Sequence, residues 1–325
     1  GMRSRSATLE DLPPLPLRKL RDLHLDEPSG PDRRPHLSAA SGVVRRGDFL
    51  YVVGDDELHL AIFRVSSPEP GTLRRVLSGE LPDDPKERKR HKPDLEVLTL
   101  LPPFPGRPVG ALLGLGSGST PERDRGFTWD LEGDGSLRGA PAELDLAPVY
   151  ELLRGELGGL NVEGATVMGD QLWLLNRAAG DTPNAVAQLS MPEVVESLGG
   201  DRRIDAAELD DLHAYDLGEI DGAALTFSDA TPLGGGVLVF TASAERTTSS
   251  YDDGEIAGSV IGLLDADGDV ARLRTIDRRH KVEGVHASLD TGVLDLLLVT
   301  DQDDPDHPAP LLSGAMPLDA GIEHA

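Results

Sequence analysis

The chain has 325 residues, a formal net charge of −26 and no cysteine. That charge excludes the basic footprint that nucleic-acid or anionic-membrane binding requires, and the lack of cysteine excludes disulfides and thiol chemistry. Aromatic residues make up 4% while Gly (37) and Pro (25) are plentiful, a balance that suits many short strands and turns better than long helices.

Residues 1–16 are polar and Pro-rich and read as an N-terminal arm. They contain no apolar signal-peptide core, and no window approaches ~18 uninterrupted apolar residues, so cytoplasm is the expected compartment. Leu17–Leu25 alternates enough for a strand. Residues 17–325 read as one domain, because no Ser/Gly run, composition shift or long charge block divides them.

From Ser41 onward one unit recurs: a short strand, a tight turn, and a second apolar strand that ends on polar residues. Its clearest copy is Asn161–Arg177, a short strand, the Gly169-Asp170 turn and a second apolar strand that ends on Asn176-Arg177. Ser41-Gly42-Val43-Val44 leads to Phe49–Val53. Leu95-Glu96-Val97-Leu98 leads to Ala111–Leu115, Asp221-Gly222-Ala223-Ala224-Leu225 to Val237–Thr241, and Val282-Glu283-Gly284-Val285 to Val293–Val299. Residues 82–93 form a highly charged connector, expected to be exposed because burial would strand its charges. Pro148–Leu157 and Pro192–Leu198 read as short helices. Asp265-Ala266-Asp267-Gly268-Asp269 reads as an Asp-Gly hairpin rather than a calcium loop, since the loop's closing acid is missing.

The aligned positions Ser41, Glu96, Glu163, Asp221 and Glu283 are spaced by 55, 67, 58 and 62 residues, somewhat longer than the ~40–50 of well-known propeller repeats. Each unit is apolar on both faces and must stack on neighbours. The expected fold is therefore all-β, a single β-propeller of five blades, with six as the alternative count. The last unit shows three strands before the chain ends, so the Leu17–Leu25 strand is expected to complete it from outside and close the ring.

In a propeller the first strand of each blade lines the central channel. Glu96, Glu163, Asp221 and Glu283 would then converge on one axis, with Ser41. Clustered carboxylates raise one another's pKa unless a cation sits among them, and Ca²⁺ tolerates such an irregular oxygen set. The competing reading makes each acid a staple, accepting backbone N–H groups of the next blade while the adjacent Gly lets the strands approach.

The ends of the second strands are expected to meet at one mouth of the channel. They carry Asp55 and Asp56, Ser117 and Ser119, Asn176 and Arg177, Glu245 and Arg246, and Asp301 and Asp303. The turn Gly116-Ser117-Gly118-Ser119, with Arg123 and Arg125, has the composition of an anion nest; the alternative is a surface turn whose arginines pair with nearby acids. Basic clusters precede three inner strands, Arg33-Arg34-Pro35-His36, Arg90-His91-Lys92 and Arg279-His280-Lys281. They suggest anion binding by Lys281 and acid–base work by His91 or His280, against a reading as ordinary salt bridges.

Four stretches, Ser38-Ala39-Ala40-Ser41-Gly42, Asn161-Val162-Glu163-Gly164, Lys281-Val282-Glu283-Gly284-Val285 and Val299-Thr300-Asp301, resemble bacterial β-propellers related to the "esterase-like activity of phytase" domain. The resemblance implies a propeller with a metal-supported phosphoesterase or ligand-binding role. The expected function is binding of a small anionic or sugar-like ligand at the channel mouth by a monomer, with Ca²⁺ on the axis. A Ca²⁺-dependent phosphoesterase or esterase is the alternative.

Overall fold

The computed structural model describes residues 2–205, 207, 209–246 and 255–318. The chain opens with β1 (Arg3–Ser6) and β2 (Arg18–Asp22). Blade one holds β3 (Ala40–Arg46), β4 (Phe49–Gly54), β5 (His59–Arg64) and β6 (Thr72–Arg75). After α1 (Pro85–His91), blade two holds β7 (Leu95–Leu101), β8 (Ala111–Gly116), β9 (Arg125–Leu131) and β10 (Leu137–Asp145). After α2 (Ala147–Leu157), blade three holds β11 (Val162–Met168), β12 (Gln171–Asn176), β13 (Asn184–Ser190) and, beyond α3 (Met191–Gly199), β14 (Leu209–Asp216). Blade four holds β15 (Glu219–Ile220), β16 (Ala223–Gly234), β17 (Val237–Arg246), β18 (Glu255–Leu264) and β19 (Val270–Ile276). Blade five holds β20 (Val282–Asp290), β21 (Val293–Thr300) and β22 (Pro310–Pro317).

These strands form five antiparallel sheets whose innermost strands touch in a closed cycle: β3 on β7, β7 on β11, β11 on β16, β16 on β20, and β20 back on β3. The protein is a five-bladed β-propeller. β2 pairs antiparallel with β22 and completes blade five from outside, so the ring closes with the N-terminal strand expected there. The arm before it does further work: β1 adds a parallel fifth strand to blade three, and Glu10 and Leu15 then bond along β19 of blade four.

The core is divided by the blades. Period-2 alternation sends successive side chains of each strand to opposite faces, and five apolar clusters fill the five seams between neighbouring blades. Leu112 of β8 thus packs toward blade one, and Leu113, its neighbour, toward blade three. Near the axis the seams are too narrow for side chains. A Cβ on Gly284 would lie 3.0 Å from the Cα of Gly42, and one on Gly164 would lie 2.7 Å from the backbone N of Ala230.

The connector 82–93 departs from expectation. It contains α1, capped by the Asp84 carboxylate on the Glu87 N–H with Pro85 in the first turn. One of its charges is buried: Arg88 turns inward, donates to the carbonyls of Pro82 and Asp83, and lies 3.8 Å from Asp56. Burial is tolerated because two backbone carbonyls and a carboxylate stand in for water around the guanidinium.

Candidate functional site

Every innermost strand carries a β-bulge, at its start in four blades and within the strand in blade four. The ladder register slips between Ala40 and Gly42, Leu95 and Val97, Val162 and Gly164, Phe227 and Asp229, and Val282 and Gly284. A bulge leaves one residue outside the pairing and re-aims its side chain. The bulged residues are Ser41, Glu96, Glu163, Ser228 and Glu283. Three of them, Glu96, Glu163 and Glu283, bring carboxylate oxygens within 4.8 Å of one another.

Asp221 does not join them. It lies in the turn between β15 and β16 with φ 50°, half exposed, and its carboxylate pairs with Arg246 at 3.0 Å and Arg278 at 3.4 Å. The reason is strand length: β16 has 12 residues, against seven for β7 and β11, so blade four reaches the axis seven residues later, at Ser228. The Ser228 hydroxyl bonds that of Thr241, and the Ser41 hydroxyl bonds the Leu95 carbonyl of the next blade.

The staple between blades exists at a different acid. Asp229, one residue past the bulge, is fully buried, and its Oδ2 accepts the Val285 N–H of blade five at 2.7 Å. Its other oxygen has no partner, and burial holds the carboxyl well above its usual pKa.

The carboxylate trio forms the floor of a cleft of about 340 Å³ at one mouth of the channel. Its walls carry Asp55, Asp56, Asp301, Asp303 and Asp304, with Arg88, Lys89, Lys92, Arg177 and Lys281. Burial raises the pKa of Glu96, Glu163 and Glu283; repulsion from Glu163 adds to it at Glu96 and from Glu283 at Glu163, while Arg177 opposes it at Glu163 and Lys281 and Arg177 oppose it at Glu283. Arg177 and Lys281 are opposed by burial, but the surrounding carboxylates outweigh it and keep both charged, Glu163 foremost for Arg177 and Glu283 foremost for Lys281. Lys92 sits 2.8 Å from Asp55 and 3.2 Å from Asp94. Burial pushes Asp301 up to about 7.

Glu163 is 3% exposed, yet among the described residues its carboxylate makes no hydrogen bond or ion pair. Lys281 approaches Glu283 at 3.5 Å; Arg177 pairs with Glu245 at 3.0 Å and opposes the burial of Glu163 only through its longer-range charge.

Of the ligand-binding residues expected from sequence, Arg177 and Lys281 line this cleft, while Ser117, Ser119, Arg123, Arg125 and Arg246 do not. The Gly-Ser-Gly-Ser turn does hold an anion, but one supplied by the chain: Asp94, in left-handed conformation with φ 54°. Ser117 donates to the Asp94 carboxylate, and Arg123 approaches it at 3.3 Å while donating to Ser119 at 2.7 Å. Arg125 bonds the Ser78 carbonyl and Glu143 away from the mouth. Neither histidine reaches the cleft. His91 is exposed on α1, beside Glu87 and Glu122, and His280 is half-buried, its pKa lowered chiefly by burial. Sequence reasoning missed Arg88 at the mouth and Ser228 at the axis. Ser228 had a signal: it lies 65 residues after Glu163 and 55 before Glu283, within the period, and is a hydroxyl residue like Ser41.

A family model described as "Family of unknown function (DUF6929)" matches residues 36–316. No curated protein matches the chain. Among solved structures, glutaminyl cyclase of Myxococcus xanthus aligns at 11% identity over 94% of this chain and 100% of that one, with TM-score 0.46. A bifunctional GH43-CE protein of Bacteroides eggerthii aligns at 10% over 93% and 36%, with TM-score 0.48. An α-L-arabinanase of Cellvibrio cellulosa aligns at 14% over 85% and 90%, with TM-score 0.43. At these identities and scores nothing about activity follows from the likeness.

Proposed function

The chain belongs to DUF6929, a family of unknown function, and we propose that its channel mouth is a binding site for a small anionic or sugar-like ligand, supported by a divalent cation among Glu96, Glu163 and Glu283. The observation that carries this reading is Glu163, a buried carboxylate that makes no hydrogen bond or ion pair and is opposed only from a distance by Arg177. A buried charge without a bonded partner costs several kcal/mol, and a cation at the centre of the trio would lower that cost for all three groups. The donor set is oxygen only, which suits a hard ion such as Ca²⁺. The cleft is lined by eight carboxylate residues and five basic ones. An anionic ligand arriving alone would be repelled by that excess of three; one arriving after a divalent cation would meet an excess of one, with the cation itself as an attractive centre.

Calorimetric titration of Ca²⁺ into the chelator-treated protein tests this. One equivalent should bind. Glu163→Gln and Glu283→Gln should each weaken binding by about tenfold or more, roughly 1.4 kcal/mol, while Asp221→Asn should bind as wild type. No heat from the wild-type protein, or equal binding by all four proteins, would sink the reading.

A second reading, a metal-dependent hydrolase of phosphate esters or carboxylic esters akin to the phytase-like propellers, is favoured by Asp301. Its carboxyl lines the cleft and exchanges its proton near neutral pH, as general acid–base work requires. Ca²⁺-dependent turnover of p-nitrophenyl phosphate or acetate, lost in Asp301→Asn with Ca²⁺ binding intact, is the expected result. No turnover by the calcium-loaded protein leaves binding as the function.

A further inference from the structure

Arg177 and Lys281 share one acceptor. Arg177 Nη2 donates to Oε1 of Glu245 at 3.0 Å, and Lys281 Nζ reaches the same oxygen at 2.8 Å. The three residues come from three blades: Arg177 follows β12, Glu245 is near the end of β17, and Lys281 precedes β20. Both cations line the cleft, whereas Glu245 does not. One carboxylate balances one of the two charges. The rest of the opposing charge comes from the trio: Glu163 and Glu283 act on Arg177, and Glu283 lies 3.5 Å from Lys281.

A cation on the axis would change that balance. It would draw on Glu283 and weaken that carboxylate's hold on Lys281, since the same negative charge cannot neutralise both. The Arg177–Lys281 pair would then carry surplus positive charge facing the cleft, in a geometry already shown to grip a single oxyanion oxygen.

From this we propose that Arg177 and Lys281 form an oxyanion subsite that takes the carboxylate or phosphate group of the ligand, and that this subsite is coupled to the axial cation, each occupant raising affinity for the other. The proposal rests on the cation reading above and gives the ligand a chemical class: a small molecule with an oxyanion at one end, placed between the cation and the basic pair. Glu245 is the resident anion that fills the subsite when no ligand is bound. Coupling between two such sites is reciprocal by thermodynamic necessity.

Acetate and methyl phosphate serve as probes, titrated calorimetrically into the metal-free and the Ca²⁺-saturated protein. Affinity for a probe should rise by about tenfold with Ca²⁺ present, within the usual range for coupled sites. Binding of either probe in this way supports the subsite, and the tighter one names the oxyanion it takes. The double variant Arg177→Met with Lys281→Met should still bind Ca²⁺ but lose the probes. Glu245→Gln removes the competing resident charge and should bind them more tightly than wild type, a gain that a folding defect does not imitate. Probe affinity indifferent to Ca²⁺ overturns the coupling, and probe affinity unchanged in the double variant and in Glu245→Gln overturns the subsite. Failure of the cation reading shows separately, as absence of heat in the calcium titration alone.

Discussion

Glu163 joins sequence to the proposed function most directly. At 3% exposure it is almost out of water, its carboxylate lies beside those of Glu96 and Glu283, and Arg177 opposes that repulsion without pairing with it. Its pKa in the folded chain is raised, first by burial, above the ~4.3 of an unfolded Glu. The sign follows. The folded metal-free protein is favoured below pH ~4.3, where Glu163 is protonated in both states, and loses stability as pH rises toward the folded value. Glu163→Gln removes that loss, so it should raise the melting temperature of metal-free protein at pH 7 by about 4 °C or more, from roughly 2 kcal/mol. The gap to wild type should close as pH falls to about 4.5. Thermal melts of both proteins across that range, with chelator, check the prediction. A variant less stable than wild type at pH 7 would contradict the account of Glu163 as a buried charge without a bonded partner.

At the scale of the element, the bulge is what turns a strand into a site. The five innermost strands are otherwise apolar ladders, buried on both faces, and without the extra residue a Glu at these positions would point into a seam. The bulge turns one side chain per blade out of the ladder. In blades one, three and five, Gly42, Gly164 and Gly284 follow the bulged residue, letting the backbones close up; in blade four Asp229 stands there and reaches across to Val285 instead. Asp229→Ala would leave the buried Val285 N–H unpaired, at a cost of roughly 1–3 kcal/mol. Chemical denaturation should show a lower midpoint with an unchanged slope, because the loss is local to the seam between blades four and five. An Asn at the same position keeps an acceptor for Val285 and should recover part of the loss.

At the scale of the molecule, the site exists only because the ring is closed. Glu96, Glu163 and Glu283 belong to blades two, three and five, and nothing within one blade holds them together. Closure depends on the N-terminal segment: β2 completes blade five, and the residues before it lie along β14 and β19. Deleting residues 2–22 would leave the β22 edge unpaired and would remove Leu15 and Leu17 from the seam of blades four and five, exposing their apolar neighbours there. The expected outcome is a lower melting temperature and concentration-dependent association through the open edge, read by light scattering. A truncated chain that stays monomeric and melts with wild type would show that the ring closes without its strap.

The sequence by itself determined the architecture. Alternating apolar strands at a period near 60, too apolar to stand alone, admit few arrangements other than a ring, and a last unit one strand short located the closing strand at Leu17–Leu25. It also located three of the four axial acids, because Glu96, Glu163 and Glu283 stand at the same step of short, similar strands. Tertiary structure decided the rest. Blade four's inner strand is longer, so the Asp-Gly that resembles its counterparts is a surface turn, and a local pattern carries no information about how far a strand runs before it meets the axis. The Gly-Ser-Gly-Ser turn has the chemistry of an anion site, but its anion is Asp94, 23 residues before Ser117. Whether a cluster of charges is satisfied or left open depends on distances of a few ångströms between residues far apart in the chain, and those are set only when the five seams pack together.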